Sequence, residues 1–267
     1  ATVIVGALNS DTTFGGVLAD NTGTLSLNKI GSGTLTLTGA NTLSGNVAVS
    51  NGSLLVEGAG ASAGAGAITV SSGAKFGGSG SALGSINIQA GGKLVATGVT
   101  GAALTLGPLT FGSGASDATT TDISSWLGGK IVATSGLTLN GTCTINVVGA
   151  ALAVGTYDLI QHSGSIGGAG FAGFSLGTLP YGIVAHLQNG AGAVQLGGDS
   201  VTAEPSVWMG SAAGTWNLAG TLDWKGAISG TPQSYHDFDV TSFDDSAANF
   251  TVDVVATVTP ASTTVSA

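Results

Sequence analysis

The stretch VSNGSLLV, Val49 to Val56, sets an Asn-Gly turn between two apolar runs, and the arrangement returns along the chain. VSSGAKF follows at Val70 to Phe76, and IQAGGKLVA at Ile88 to Ala96. The glycines of these turns, Gly33, Gly52, Gly73 and Gly91, stand 19, 21 and 18 residues apart. A fixed period of this size marks a repeat architecture, in which each unit buries its apolar face only by stacking on its neighbours.

Between the turns the residues alternate. Thr34-Leu35-Thr36-Leu37, Asn46-Val47-Ala48-Val49, Ile86-Asn87-Ile88 and Ile145-Asn146-Val147 each carry Leu, Val or Ile on one parity and small or polar residues on the other. Side chains alternate across a strand, so each segment has a dry and a wet face. With 47 Gly and no long run of period 3.6, no helix is expected. The pattern predicts an all-β fold, a parallel β-helix (β-solenoid) with two or three strands per coil. About 10 to 13 coils would give a rod of roughly 50–60 Å. An antiparallel sandwich also has many short strands, but it does not require glycine to recur near every twentieth residue.

The pattern loosens after about Asp117, and GDSVTAEPS (Gly198 to Ser206) reads as a linker. From Asp199 onward lie Trp208, Trp216 and Trp224 and eight of the 14 acidic residues. The expected division is therefore a solenoid over 1–198 and a Trp- and Asp-rich β segment over 199–267. Only 7% of residues are charged, against about 25% in ordinary soluble domains. The 43% apolar content argues against disorder. Five Lys, no Arg and a net charge of −9 exclude a surface that neutralises a run of phosphates, hence nucleic-acid binding. No apolar run reaches the roughly 20 residues of a membrane span. The opening ATVIVGALNS has no leader-like character, so a signal peptide, if the protein is exported, is not in this chain. The single Cys143 forms no intrachain disulfide.

GSGTLTLTGANTLSGNVAVSNGSLLVEG, Gly31 to Gly58, resembles the autotransporter-associated β-strand repeat found in the passenger regions of large bacterial surface proteins. NSDTTFGGVLADNTGTLSL, GTYDLIQ and the tail from VWMGSAAGTWNLAGTLDWKG onward are also similar to parts of such modules. The resemblance implies a right-handed parallel β-helix, export to the bacterial surface, a structural or adhesive role and no shared catalytic residues. In the family the Trp-rich segment comes before the GTLTLTG repeat; here it comes last. The chain then reads as one period of a tandem protein, or as a subunit whose tail completes the front of the next copy. A head-to-tail contact of the second kind makes open filaments, and strand donation is one way to form it. The expected interface pairs Thr2, Val3, Ile4 and Val5 of one copy with Thr251, Val252, Val254, Val255, Val258 and Val265 of another.

Motifs for chemistry are weak. Gly60-Ala61-Ser62-Ala63-Gly64 matches G-x-S-x-G but sits in a Gly/Ala run with no helix after it. Gly168 to Gly173 matches G-x-G-x-x-G, which binds dinucleotides only where it opens a helix. His162, His186 and His236 are not at metal-ligand spacing with Cys143, which reads as a small core residue. Asp237, Asp239, Asp244 and Asp245 are the one candidate metal cluster. Calcium is its candidate occupant, against a solvated acidic loop; no other cofactor is expected. The three Trp are expected in the core of a small β region, with stacking on sugar rings as the other use. The functional expectation is a non-enzymatic extracellular structural protein that self-assembles. An adhesive or carbohydrate-binding module of a surface protein, with glycans or a cell surface as partners, is the alternative.

Overall fold

A computed structural model of the chain describes residues 1–98, 102–124, 129–149, 154–180, 182–201, 204–210, 214–218 and 221–266. The chain divides into two compact units. One comprises Ala1–Val148, Thr156–Thr178 and His186–Gly197; the other comprises Gly149–Gly155, Leu179–Ala185 and Gly198–Ala267.

The first unit is a parallel β-helix with three strands per coil. One coil runs Val47–Val49, Ser53–Val56 and Ser62–Ala63; the next repeats the course at Ile68–Val70, Lys75–Gly78 and Ser81–Ala82. Each strand pairs in parallel with its counterpart one coil on, building three long sheets. In the first sheet Val47 pairs with Ile68 and Ile68 with Ile86, steps of 21 and 18 residues that reproduce the period of the turns. Later coils are longer, since Leu109 pairs with Leu137, a step of 28. The first sheet holds eight strands, from Thr2–Val5 to Gly167–Gly168. Among the described residues the stack therefore has eight coils rather than the 10 to 13 expected, because the later coils consume more chain.

The alternation has a direct physical outcome. The column Leu27, Val47, Ile68, Ile86, Leu109, Leu137 faces inward with every member buried, while Asn28, Ala48, Thr69, Asn87, Thr110 and Thr138 face outward. The second sheet adds the inward column Leu35, Leu54, Phe76, Leu94. Each such side chain contributes about 1.5–3 kcal/mol by leaving water. No residue can do this alone, because its neighbours are the coils above and below.

The turn after each first-sheet strand explains the recurring glycine. Gly52, Gly73 and Gly91 have φ of 62°, 76° and 72°, in the left-handed region where a Cβ is disfavoured. One coil earlier the left-handed residue is Gly31, not Gly33. Gly33 is held to glycine by the approach of the Ser10 carbonyl, 2.4 Å from where a Cβ would stand.

One member of the first sheet breaks the apolar rule. Lys29 pairs with Val5 on one side and Val49 on the other, and it is buried. Its ammonium donates to the carbonyls of Ile30 (2.7 Å), Gly31 (2.8 Å) and Asn51 (3.2 Å), so the stem stays in the apolar column while the charge reaches the turn. Burial lowers its pKa.

At the far end the parallel pattern stops. Ile183–Gly190 and Ala193–Val201 are consecutive strands joined by two residues and adjacent in the third sheet, a spacing that permits only a hairpin. The Gln195 side chain donates to Asp158 (2.7 Å), and the His162 N–H donates to the Gly192 carbonyl (2.8 Å). Ala193–Val201 therefore runs antiparallel to Gly155–His162. Phe174 meets Phe111 edge-on, with ring centroids 6.3 Å apart, beneath this last coil.

The second unit has a five-stranded sheet in the order Pro232–Gln233, Trp224–Gly226, Ser206–Trp208, Val240–Phe243, Ser262–Val265. The first two junctions are antiparallel and the last two parallel. Its core is aromatic. Trp224 stands edge-on to Trp208 and to Trp216, with centroids 5.1 Å apart in both pairs, and Tyr235 and Phe243 close the cluster. Across both units the only helical element among the described residues is the 3-10 turn Gly170–Gly173.

Candidate functional site: the open end of the stack

The first coil has strands in two sheets, Thr2–Val5 and Thr12–Phe14, each the outermost of its sheet. An outermost strand keeps one row of backbone N–H and C=O groups unpaired. Thr2–Val5 pairs with Ser26–Lys29, and Thr12–Phe14 with residues of Thr34–Leu37. Neither edge strand contains a charge or a proline, the residues that commonly block pairing at a sheet edge.

Between these strands the interior of the helix opens outward. Val3, Val5, Phe14, Leu18, Leu27 and Leu35 line a hollow of ≈ 370 Å³. Phe14 is 40% exposed and Ile4 is 64% exposed, whereas their counterparts one coil on, Leu37 and Asn28, are buried and half-buried. The geometry is that of two edge strands flanking an apolar hollow. It can accept a further parallel coil or a donated strand, with main-chain hydrogen bonds to the edge and alternate side chains into the hollow.

The expected interface residues fall into three groups. Thr2, Val3, Ile4 and Val5 form the edge, with Val3 and Val5 turned inward. In the second unit Ser262–Val265 is likewise an outermost strand, and every residue of it is exposed. Val265, Val254 and Val255 are 76%, 53% and 54% exposed. Val252 and Val258 instead pack on the aromatic cluster, and the exposed Thr251 donates its N–H to Asn249 Oδ1 (2.9 Å). Periodicity alone could not separate these residues, because one valine-rich tail supplies both the core contacts and the exposed edge.

The aspartates Asp237, Asp239 and Asp244 take separate hydrogen-bond donors. Asp237 accepts from the Thr259 N–H (2.7 Å) and the Tyr235 hydroxyl (3.3 Å). Asp239 accepts from the His236 N–H (2.9 Å) and Ser206 Oγ (3.3 Å). Burial raises the Asp239 pKa. Asp244 caps its own turn through the Ser246 N–H (2.9 Å). Among the described residues no group of three His, Cys, Asp or Glu is arranged to hold a metal. The backbone also decides the two chance motifs. Ser62 lies on a two-residue strand in the third sheet. Gly168 to Gly173 leads through the 3-10 turn into the strand Phe174–Leu176, not into an α-helix. Trp208, Trp216 and Trp224 are 1%, 7% and 1% exposed, so their rings form core. No helix among the described residues is long and apolar enough to cross a membrane.

Comparison with known families agrees with the coil geometry. Residues 27–56 match the family model described as passenger-associated-transport-repeat, and they span one coil and the first two strands of the next. No curated protein matches the chain.

Proposed function

We propose that this chain is a structural, non-enzymatic element of a secreted or cell-surface bacterial protein, and that its β-helix is lengthened by other copies of the same chain. The passenger-type repeat at 27–56 supports export and a structural role. The observation that carries the assembly reading is the pair of uncharged edge strands around an apolar hollow. Burying Phe14 and the hollow's valines would contribute about 1.5–3 kcal/mol for each side chain covered. The exposed edge Ser262–Val265, uncharged and parallel in its own sheet, supports a head-to-tail partner strand.

Electron microscopy and analytical ultracentrifugation of the purified chain test this reading. Concentration-dependent filaments with a regular axial repeat are expected. They should be lost in Phe14→Asp, which places a charge in the hollow, and in Val5→Pro, which disturbs the edge. Single short rods at every concentration would show that the chain does not polymerise by itself.

A further inference from the structure

We infer that Asn51–Gly52 is a self-modification site, at which the side chain of Asn51 and the following backbone nitrogen react with Lys29 as the assisting group. Asn51 is exposed on the turn between the first two strands of its coil. The Gly52 N–H donates to Asn51 Oδ1 at 2.7 Å, so the carboxamide is folded back against the nitrogen that would attack it. Reacting groups kept in contact in this way have already lost the freedom that a flexible chain must still give up. Glycine is obligatory at 52, because φ is +62° and a Cβ would stand 2.4 Å from the Gly33 carbonyl oxygen. No side chain therefore shields the nitrogen.

The buried Lys29 supplies the second half of the argument. Its ammonium donates to the Asn51 carbonyl oxygen at 3.2 Å. That carbonyl and the Gly52 N–H belong to one peptide group. When the nitrogen loses its proton, negative charge develops on this oxygen, where a fixed cation already points. Lys29 therefore makes the Gly52 N–H a better acid and its nitrogen a more available nucleophile.

The step balances without an oxidant or reductant. The Gly52 nitrogen bonds to Asn51 Cγ, the Cγ–Nδ2 bond breaks, and Nδ2 leaves as ammonia with the proton that came from Gly52. Water then opens the cyclic imide on either side. One opening leaves aspartate; the other leaves an isoaspartyl link with one more carbon in the main chain. That carbon would fall between two bonds that tie the turn to the previous coil, Ser50 N–H to the Lys29 carbonyl (2.9 Å) and Ser53 N–H to the Gly33 carbonyl (3.3 Å). The product therefore loosens the stack at this point or adds a carboxylate near Lys29.

The chain contains its own controls. Asn140–Gly141 and Asn189–Gly190 have the same dipeptide, but the Asn140 carboxamide donates to the Gly112 carbonyl (3.2 Å). The test incubates the folded protein beside a synthetic peptide of residues 49–55 near neutral pH, and follows ammonia loss and isoaspartate at each Asn by peptide mass spectrometry. Asn51 in the folded protein should convert about tenfold faster than in the peptide, and faster than Asn140 or Asn189. Conversion equal to or slower than in the peptide would overturn the proposal. Lys29→Met should remove the acceleration at Asn51 and leave the other two sites unchanged, while Lys29→Arg should retain it. An undiminished rate in Lys29→Met would remove Lys29 from the mechanism. Should that variant not fold, the comparison of folded protein with peptide still decides.

Discussion

Cys143 and Thr121 meet inside the β-helix, Sγ to Oγ1 at 3.3 Å, across two adjacent coils of the second sheet. Cys143 pairs in register with Thr119, so its contact with Thr121 is diagonal. All three side chains are buried among aliphatic and aromatic residues. The thiol thus fills core space and hydrogen-bonds the Thr121 and Thr119 hydroxyls. Burial pushes its pKa up to about 11, so the nucleophilic thiolate is scarce at neutral pH. The folded protein should resist thiol-labelling reagents and label rapidly in denaturant, as read by mass spectrometry. Rapid labelling of the native chain would contradict this placement.

Acid should act in opposite senses at identifiable residues. In the first unit the Ser44 hydroxyl and the Leu25 N–H hold the Asp20 pKa below its ordinary value, and the Ser113 N–H and hydroxyl do the same for Asp117. A depressed folded pKa gives stability that is present above the unfolded value and is lost as pH falls through the folded one. Asp239 in the second unit is raised by burial. Its contribution is fully present below the ordinary carboxylate pKa and is lost as pH rises through the raised value. Asp239→Asn should therefore stabilise the chain at neutral pH and flatten its melting temperature between acid and neutral conditions. Asp20→Asn should lower that temperature at neutral pH and change it little in acid. Thermal melts across the pH range measure both.

Phe111 is fully buried beneath the last coils and meets Phe174 edge-on. Phe111→Ala should cost about 3–5 kcal/mol, because the surrounding coils are fixed by their own strand pairing and cannot collapse into the space. Phe111→Leu should recover most of the loss. Urea unfolding midpoints compare the two variants with the parent chain.

Glu57 ties three coils together. Its carboxylate accepts from Ser79 Oγ and Thr97 Oγ1, both at 2.7 Å, and those residues lie one and two coils further on. Glu57→Ala should cost about 1.5–3 kcal/mol, the range for hydrogen bonds to a charged group. Glu57→Gln should cost less, since its amide oxygen can still accept. A Glu57→Ala midpoint equal to that of the parent in urea would show that the tie carries no stability.

Much of the fold was legible before any coordinates. Alternation told inward from outward residues in each strand, and the glycine spacing told that successive strands stack in parallel. The coil count was not legible, because a later coil of 28 residues hides the same three strands as an earlier coil of 18. Lys29 was also illegible as a core residue. Its position in the alternation marks it inward, but only the converging carbonyls of Ile30, Gly31 and Asn51 show how a charge is tolerated there. The acidic run from Asp237 to Asp245 looked like one cluster along the chain. In space each described carboxylate contact goes to a different neighbour, because turn N–H groups and hydroxyls of that segment reach them first.

By itself the sequence determined the architecture of the first unit, because a strand with a two-residue side-chain period and a turn that needs a left-handed glycine has few ways to bury its apolar face. The tertiary structure decided how deeply each residue of a column is buried. Phe14 belongs to the same inward pattern as Leu37, yet it is 40% exposed while Leu37 is buried. Leu37 is paired on both sides, to Phe14 and to Val56, and Phe14 on one. Burial in a stacked fold belongs to the neighbour, and a residue's own sequence position does not reveal whether that neighbour is there.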